Sequence, residues 1–144
     1  MAQRMMFVNL PVRDLGRAKS FFGTLGFSFN PRFTDDKAAC MVVSDAGYVM
    51  LLQEAFYRTF TRRELCDTTR QNEGLVALSC ESRAEVDGLV SRAVEAGGSQ
   101  AMEPVDHGFM YERAFYDPDG HHWAVLWMDP RVAQGEDPVA SLAS

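Results

Sequence analysis

The stretch "DPDGHHWAVLWMD", residues 117–129, joins a turn to a strand. Asp, Pro and Gly are residues favoured in turns, so Asp-Pro-Asp-Gly predicts a turn, and the apolar residues that follow predict a strand at 121–128. Because a strand-like stretch at 109–116 precedes the turn, the whole segment predicts a hairpin. Successive side chains of a strand point to opposite faces, so His121 and His122 cannot both face one bound ion.

The elements upstream of this hairpin follow one order twice. In the first half, a strand leads into a helix that Asp14 can cap and Gly26 can end, and three strands follow. In the second half, Ser82 and Glu85 form a capping box at the start of the helix. The predicted strands are residues 5–12, 27–34, 38–45 and 48–54, then 73–82, 99–105, 109–116 and 121–128, and the second helix is predicted at 82–96.

The two halves also match in register. Residues 7–12 align with residues 75–80, and each segment runs directly into its helix. A period of about 70 residues indicates two copies of one βαβββ unit, which predicts an α+β fold. The predicted organisation is a single domain over 1–130, with module one at 4–54, a linker at 55–72, module two at 73–129, and a loose tail at 131–144.

Composition and charge narrow the class of partner. The 144 residues carry a net charge of −6, which disfavours binding to nucleic acid or to an anionic membrane surface. Three scattered cysteines without a CxxC pair suit a reducing compartment. The apolar run near the N-terminus is too short for a signal peptide or a membrane span. We therefore expect a soluble cytoplasmic protein.

The doubled βαβββ order, "VRDLGRAKSFFGTLGF" at 12–27 and the closing "DPDGHHWAVLWMD" together resemble the vicinal oxygen chelate superfamily. That superfamily includes glyoxalase I, bleomycin-resistance proteins, extradiol dioxygenases and fosfomycin-resistance enzymes. The resemblance covers approximately residues 4–129 and implies two modules that form a curved, eight-stranded cleft. It predicts the fold better than the activity, because one scaffold hosts many functions.

In metal-dependent members of this superfamily, each module supplies one ligand from its first strand and one from its last. The resemblance places those four positions on Phe7, near Met50, on Leu75 and on Ala124. A divalent metal would need His, Glu or Gln there, and none of these four side chains carries a nitrogen or oxygen donor. The sequence therefore predicts no metal site and no cofactor.

The resemblance also assigns ligand-binding residues to the faces of the cleft. Most are apolar and three are polar, as in many small-molecule pockets. They are Phe7, Asn9, Met50, Leu52, Leu75, Ala77, Ser79, His122, Ala124 and Leu126. The alternative is that these apolar faces simply pack together and leave no pocket.

Two further features have alternative interpretations. His122 either contacts a ligand at the mouth of the cleft or belongs, like His121, to a partly exposed shoulder of the hairpin. The arginines of the linker either form a lid over an anionic ligand or face solvent. They are Arg58, Arg62, Arg63 and Arg70.

Three functions are compatible with this pattern. The first is metal-free binding of a small hydrophobic or aromatic molecule, as in bleomycin-resistance proteins. The second is a glyoxalase- or dioxygenase-like enzyme, a lyase or an oxidoreductase, with a non-standard metal site. The third is a catalytically inactive relative. The absence of a metal ligand at all four positions favours the first and third functions. No catalytic residue is assigned. The resemblance further implies a homodimer.

Overall fold

The computed structural model describes residues 3–135. The chain divides into two compact units, one ending at Asp67 and one beginning at Thr68, so the predicted linker is shared between them. Each unit contains one four-stranded mixed sheet. No helix within residues 3–135 is long and apolar enough to cross a membrane.

The first unit follows the predicted βαβββ order. Its sheet has the strand order β1-β4-β3-β2, with β1 parallel to β4 and the other pairs antiparallel. Its elements are β1 (Met6–Val12), α1 (Leu15–Thr24), β2 (Ser28–Phe29), β3 (Ala38–Val42), β4 (Gly47–Gln53) and α2 (Glu54–Tyr57), with 3₁₀ helices at Pro31–Phe33 and Arg58–Phe60.

Helix α1 has the predicted cap at Asp14 and buries one apolar face. The Asp14 side chain accepts a hydrogen bond from the Arg17 amide at 3.0 Å, which satisfies a donor at the exposed helix start. Gly26 follows the helix with a φ of +103°, a conformation that favours glycine. The buried side chains of α1 are Leu15, Ala18, Phe21 and Phe22.

The second strand is much shorter than predicted. Residues 27–34 were expected to form a strand, but β2 covers only Ser28–Phe29. The Asn30 side chain accepts a hydrogen bond from the Arg32 amide and caps the 3₁₀ helix that begins at Pro31. Proline lacks an amide donor for a sheet ladder, so the strand ends before it.

The second unit repeats the architecture of the first. Its strand order is β5-β8-β7-β6, with β5 parallel to β8, and this matching order confirms the predicted repeat and the α+β fold. The predicted tail begins with a short helix, and residues 136–144 lie outside the described residues. The elements are β5 (Leu75–Cys80), α3 (Arg83–Glu95), β6 (Ser99–Asp106), β7 (Met110–Tyr116), β8 (His122–Met128) and α4 (Pro130–Ala133).

Helix α3 packs on β7 and β8 through an apolar stripe. Its start shows the predicted cap, since the Glu85 amide donates to Ser82 Oγ at 3.0 Å. The buried residues of the stripe are Val86, Leu89, Val90 and Ala93. Helical spacing in the sequence predicts that Val94 belongs to the same stripe, but Val94 is exposed and its neighbour Ala93 is buried instead.

Candidate functional site

The hairpin turn at residues 117–120 is organised by the buried carboxylate of Asp117. Asp117 Oδ1 accepts hydrogen bonds from the amides of Asp119 at 2.9 Å and His121 at 3.0 Å. Its Oδ2 accepts one from Trp123 Nε1 at 3.0 Å. Burial raises the pKa of Asp117, although the nearby His121 imidazole and these hydrogen bonds favour the charged form. The turn motif therefore uses its first aspartate to fix the hairpin.

The two histidines of the motif have different environments. His121 is only 3% exposed, and its Nδ1 lies 2.6 Å from Glu73 Oε1. The prediction that His121 lies on a partly exposed shoulder is therefore wrong, because a residue distant in sequence covers it. His122 is half-buried, and its ring meets the Tyr116 ring edge-on with centroids 5.5 Å apart.

Six of the predicted ligand-binding residues share one face of the second sheet. The parallel register of β5 and β8 pairs them as Leu75 with His122, Ala77 with Ala124, and Ser79 with Leu126. Leu75 is 63% exposed, whereas Ala124 is buried. Tyr116 and Glu112 of β7 lie on the same face, since they pair with His122 and Leu126.

The opposite face of the second sheet is occupied by α3. Tyr111 and Arg113 of β7 lie on that face, in register with Trp127 and Val125. The Tyr111 hydroxyl donates to Asp87 Oδ1 of α3 at 2.7 Å, and Arg113 Nη1 donates to the same oxygen at 3.0 Å. These two polar residues therefore join the helix to the sheet.

The other four predicted residues share one face of the first sheet. In the register of β1 and β4, Asn9 pairs with Met50, and Phe7 and Leu52 lie two residues away along their strands. Phe7 stacks on Tyr48 with ring centroids 5.1 Å apart and planes 15° from parallel. Asn9 on β1 is exposed and Leu52 on β4 is buried, so this face of the first sheet is open to solvent at Asn9 and covered at Leu52.

A cavity of about 410 Å³ lies on this face of the first sheet. Two predicted residues line it, together with three residues from the segment that follows β4. The lining residues are Asn9, Leu52, Tyr57, Phe60 and Thr61. Helix α2 in this segment contacts both β1 and β4, which brings the segment over the sheet.

The sequence pattern assigned Tyr57, Phe60 and Thr61 to a connection between modules and did not identify them as ligand-binding residues. The available signal was a cluster of aromatic side chains in an otherwise polar stretch. In the structure, Phe56 and Phe60 contact each other edge-to-face at 5.0 Å between centroids, although Phe60 is 67% exposed.

The residues at the four family metal positions do not fit a divalent ion. Phe7, Leu75 and Ala124 have hydrocarbon side chains, and Met50 offers only a thioether. Within residues 3–135, no group of three or more His, Cys, Asp or Glu side chains is placed to hold a metal ion.

The two buried cysteines are not activated nucleophiles. Burial raises the pKa of the Cys80 thiol to about 11, with a smaller contribution from the neighbouring Glu85. Burial also raises the pKa of Cys40. Because the thiolate is the reactive form, both side chains act as small apolar groups near neutral pH.

The chain is similar to proteins of one superfamily. The family model for bleomycin resistance protein-like N-terminal regions matches residues 4–44. The solved structure of hypothetical protein SA1046 from S. aureus is 32% identical, with a TM-score of 0.73 over 88% of this chain and 94% of that one. No curated protein shows significant similarity.

Two further solved structures share the fold at lower identity. A glyoxalase/bleomycin resistance protein/dioxygenase family enzyme from Burkholderia phytofirmans is 16% identical, with a TM-score of 0.71 over 88% of this chain and 99% of that one. The fosfomycin resistance protein FosX from Listeria monocytogenes is 18% identical, with a TM-score of 0.62 over 88% of this chain and 92% of that one. Together with the doubled βαβββ architecture, these similarities show that the chain belongs to the vicinal oxygen chelate superfamily of glyoxalases, bleomycin-resistance proteins and dioxygenases.

Proposed function

We propose that this protein binds a small, mostly apolar aromatic molecule without a resident metal ion. The observation that carries the proposal is the cavity of about 410 Å³ on the first sheet, which combines apolar and hydrogen-bonding side chains. Its volume lies within the range of roughly 300–1,000 Å³ that small-molecule sites occupy.

The aromatic groups at this cavity favour a planar ligand. Tyr57 and Phe60 line it, and the Phe7–Tyr48 stack lies on the sheet face that Asn9 shares. Aromatic rings bind other rings in offset or edge-to-face arrangements that add roughly 0.5–1.5 kcal/mol beyond burial of apolar area. Burial of the ligand's apolar surface contributes roughly 25 cal/mol per Å².

The polar residues at the cavity supply orientation. Asn9, Tyr57 and Thr61 place an amide and two hydroxyls beside Leu52 and Phe60. The Asn9 amide nitrogen donates to the Phe7 carbonyl at 3.3 Å, which holds the side chain near the strand. Each hydrogen bond to a ligand adds about 1 kcal/mol net. These groups therefore contribute more to selectivity, for a ligand with one or two polar atoms, than to affinity.

The donor set supports the proposal that binding needs no metal. At the positions where metal-dependent relatives hold their ion, this chain has Phe7, Met50, Leu75 and Ala124, and none offers nitrogen or oxygen. Recognition therefore depends on shape, apolar burial and a few hydrogen bonds. The face of the second sheet that carries His122 and Ala124 is proposed as a further ligand-contacting surface, and it requires its own test.

A screen of aromatic and planar compounds by thermal shift, followed by calorimetry, tests the proposal. Thr61→Trp should fill the cavity from an exposed position and weaken binding of a screening hit at least tenfold. Thr59→Trp is the matched control, because Thr59 is also exposed but does not line the cavity. Unchanged affinity in Thr61→Trp would place the site elsewhere.

A second pair of variants tests the aromatic contact. Phe60→Ala should weaken binding, whereas Phe33→Ala should not, and the two side chains are similarly exposed at 67% and 61%. On the second sheet, Ala124→Trp should abolish binding and His122→Ala should weaken it modestly if that face contacts the ligand. Full affinity in both of these variants would remove the second sheet from the proposal.

A further inference from the structure

The second unit contains a cavity of its own, of about 440 Å³, beside the hairpin turn. It includes none of the ten residues predicted to bind the ligand and none that line the cavity of the first unit. Three segments line it: residues 68–72, the α3–β6 connection, and the hairpin. The lining residues are Thr68, Thr69, Arg70, Gln71, Asn72, Gly97, Ser99, Tyr116, Asp117, Pro118 and Gly120.

Residues 68–73, which we call the strap, are fixed to the hairpin at both ends. At one end, the Thr68 hydroxyl donates a hydrogen bond to the Asp119 carbonyl. At the other end, Glu73 Oε1 lies 2.6 Å from Nδ1 of the buried His121. The four residues between these anchors all line the cavity, so the wall of the cavity is preorganised.

The close approach of the strap leaves room only for a glycine at position 120. A Cβ atom built there would lie 2.2 Å from the Thr68 carbonyl oxygen. The φ of Gly120 is +89°, which also favours glycine. The strap therefore lies directly on the hairpin backbone, and the cavity opens beside that contact.

The side chains on the cavity wall include several polar groups and one positive charge. Thr69, Ser99 and Tyr116 contribute hydroxyls, and Gln71 and Asn72 contribute amides. Arg70 is exposed and forms no ion pair or hydrogen bond with the rest of the described chain.

The Asp117 carboxylate also lines the cavity, but it does not compete with a ligand for the positive charge of Arg70. Asp117 already accepts three hydrogen bonds from the hairpin, so its oxygens are committed to the turn. The uncommitted formal charge on the cavity wall is therefore that of Arg70.

We propose that this second cavity binds a compact, hydroxylated organic anion, with its carboxylate or phosphate group beside Arg70. A guanidinium group pairs with either anion through two parallel hydrogen bonds. The hydroxyls of the ligand bond to the Asn72 amide nitrogen and to Ser99. Gly97 follows the C-terminus of α3, the negative end of the helix dipole, so the neutral hydroxylated part of the ligand lies at that end.

Binding of such an anion occurs against the field of the whole chain, whose net charge is −6. Long-range attraction therefore does not assist capture, and the contact at Arg70 must supply the recognition. Because Arg70 is exposed, its pairing with an anion weakens as ionic strength rises. A comparison of anionic and neutral ligands therefore requires one fixed ionic strength.

The direct test is an NMR titration of the full chain with four probes: glucose 6-phosphate, citrate, inorganic phosphate and glucose. Either organic anion should shift the amide signals of residues 68–72 and 97–99, whereas neutral glucose should shift none of them. Binding of glucose 6-phosphate alone identifies a phosphate ligand, and binding of citrate alone identifies a carboxylate ligand. Glucose binding as tightly as glucose 6-phosphate, or no response to any probe, would overturn the proposal.

Two variants test the position of the site. Arg70→Gln should weaken binding of the anionic probe at least tenfold, and Arg62→Gln is the matched control because Arg62 is an exposed arginine outside the cavity. Ser99→Trp should block the cavity without removing a charge. An equal loss of affinity in Arg70→Gln and Arg62→Gln would show that the arginines act only through general electrostatics, and it would contradict the proposed site. Thr61→Trp, which fills the cavity of the first unit, should leave this binding unchanged, so the two proposals fail independently.

Discussion

Gly120 shows how a single residue sets the geometry of the second unit. Any side chain there would meet the Thr68 carbonyl, because the built Cβ lies 2.2 Å from its oxygen and 2.7 Å from its carbon. Gly97 has a comparable φ of +113°, but apart from its two chain neighbours no residue has an atom within 4 Å of a built Cβ. A substitution at Gly97 therefore introduces backbone strain alone, whereas a substitution at Gly120 introduces backbone strain and a steric overlap.

We predict that Gly120→Ala destabilises the protein more than Gly97→Ala. A left-handed alanine costs roughly 1–2 kcal/mol at either position. Gly120→Ala adds an overlap with main-chain atoms, which costs roughly a further 1–3 kcal/mol. Denaturant unfolding of both variants measures the difference in the free energy of unfolding. Equal losses in the two variants would show that the strap can move away from the hairpin at little cost.

The residues that sequence predicts well are those with local partners. Asp14 and Ser82 cap their helices by bonding to amides three residues later, and this spacing is visible in the chain. His121 was misjudged because its partner Glu73 precedes it by most of a module. Tyr57 and Phe60 were missed for a similar reason, since only the folded chain shows that their segment covers the first sheet.

The strands were predictable as elements because their side chains alternate with a period of two. That alternation placed Leu75, Ala77 and Ser79 on one face, and the register of β5 with β8 agrees. The extent of β2 was not predictable in the same way. Its apolar stretch continues to Phe33, but the cap at Asn30 and the ring of Pro31 end the ladder.

The contact between α3 and β7 gives a prediction about acid titration. The Tyr111 hydroxyl makes the largest contribution to lowering the pKa of Asp87, and Arg113 adds to it. Tyr111→Phe should therefore raise the pKa of Asp87 toward its ordinary value of 3.8. Carbon-detected NMR titration of the Asp87 carboxyl measures this directly.

The sign of the accompanying stability change follows from the lowered pKa. A carboxyl with a lowered pKa stabilises the fold above its ordinary pKa, and this stabilisation is lost as the pH falls through the lowered value. The wild type and Tyr111→Phe should therefore differ near neutral pH and converge in acid. Tyr116→Phe is the control, because Tyr116 lies on the other face of β7, and an equal shift of Asp87 in that variant would contradict the assignment.

At the scale of the whole molecule, the donor set predicts that the purified protein holds far less than one divalent ion per chain. Binding would need several nitrogen or oxygen ligands at positions that Phe7, Leu75 and Ala124 occupy. Elemental analysis of protein prepared without chelator checks this. Stoichiometric nickel, zinc, iron or manganese would contradict it, and Ala124→Glu alone should not create tight binding, because one carboxylate is too few ligands.

The fold of the whole chain was predictable because the βαβββ unit occurs twice and each copy carries its own helix caps and turns. The ligand is much less determined by the sequence. One architecture serves many functions, and the side chains that differ between them are few. The residues that line the cavity of the first unit include Phe60 and Thr61, which lie in a segment without a strong secondary-structure pattern.

The most direct test of the central claim is to map, by NMR, the amide and side-chain signals that shift when an aromatic screening hit is added to metal-free protein. We predict that the largest shifts occur at Asn9, Leu52, Tyr57, Phe60 and Thr61, the residues that line the cavity of the first unit. We also predict that adding a chelator leaves the map unchanged. Shifts confined to other residues, or binding that disappears with the chelator, would contradict the account.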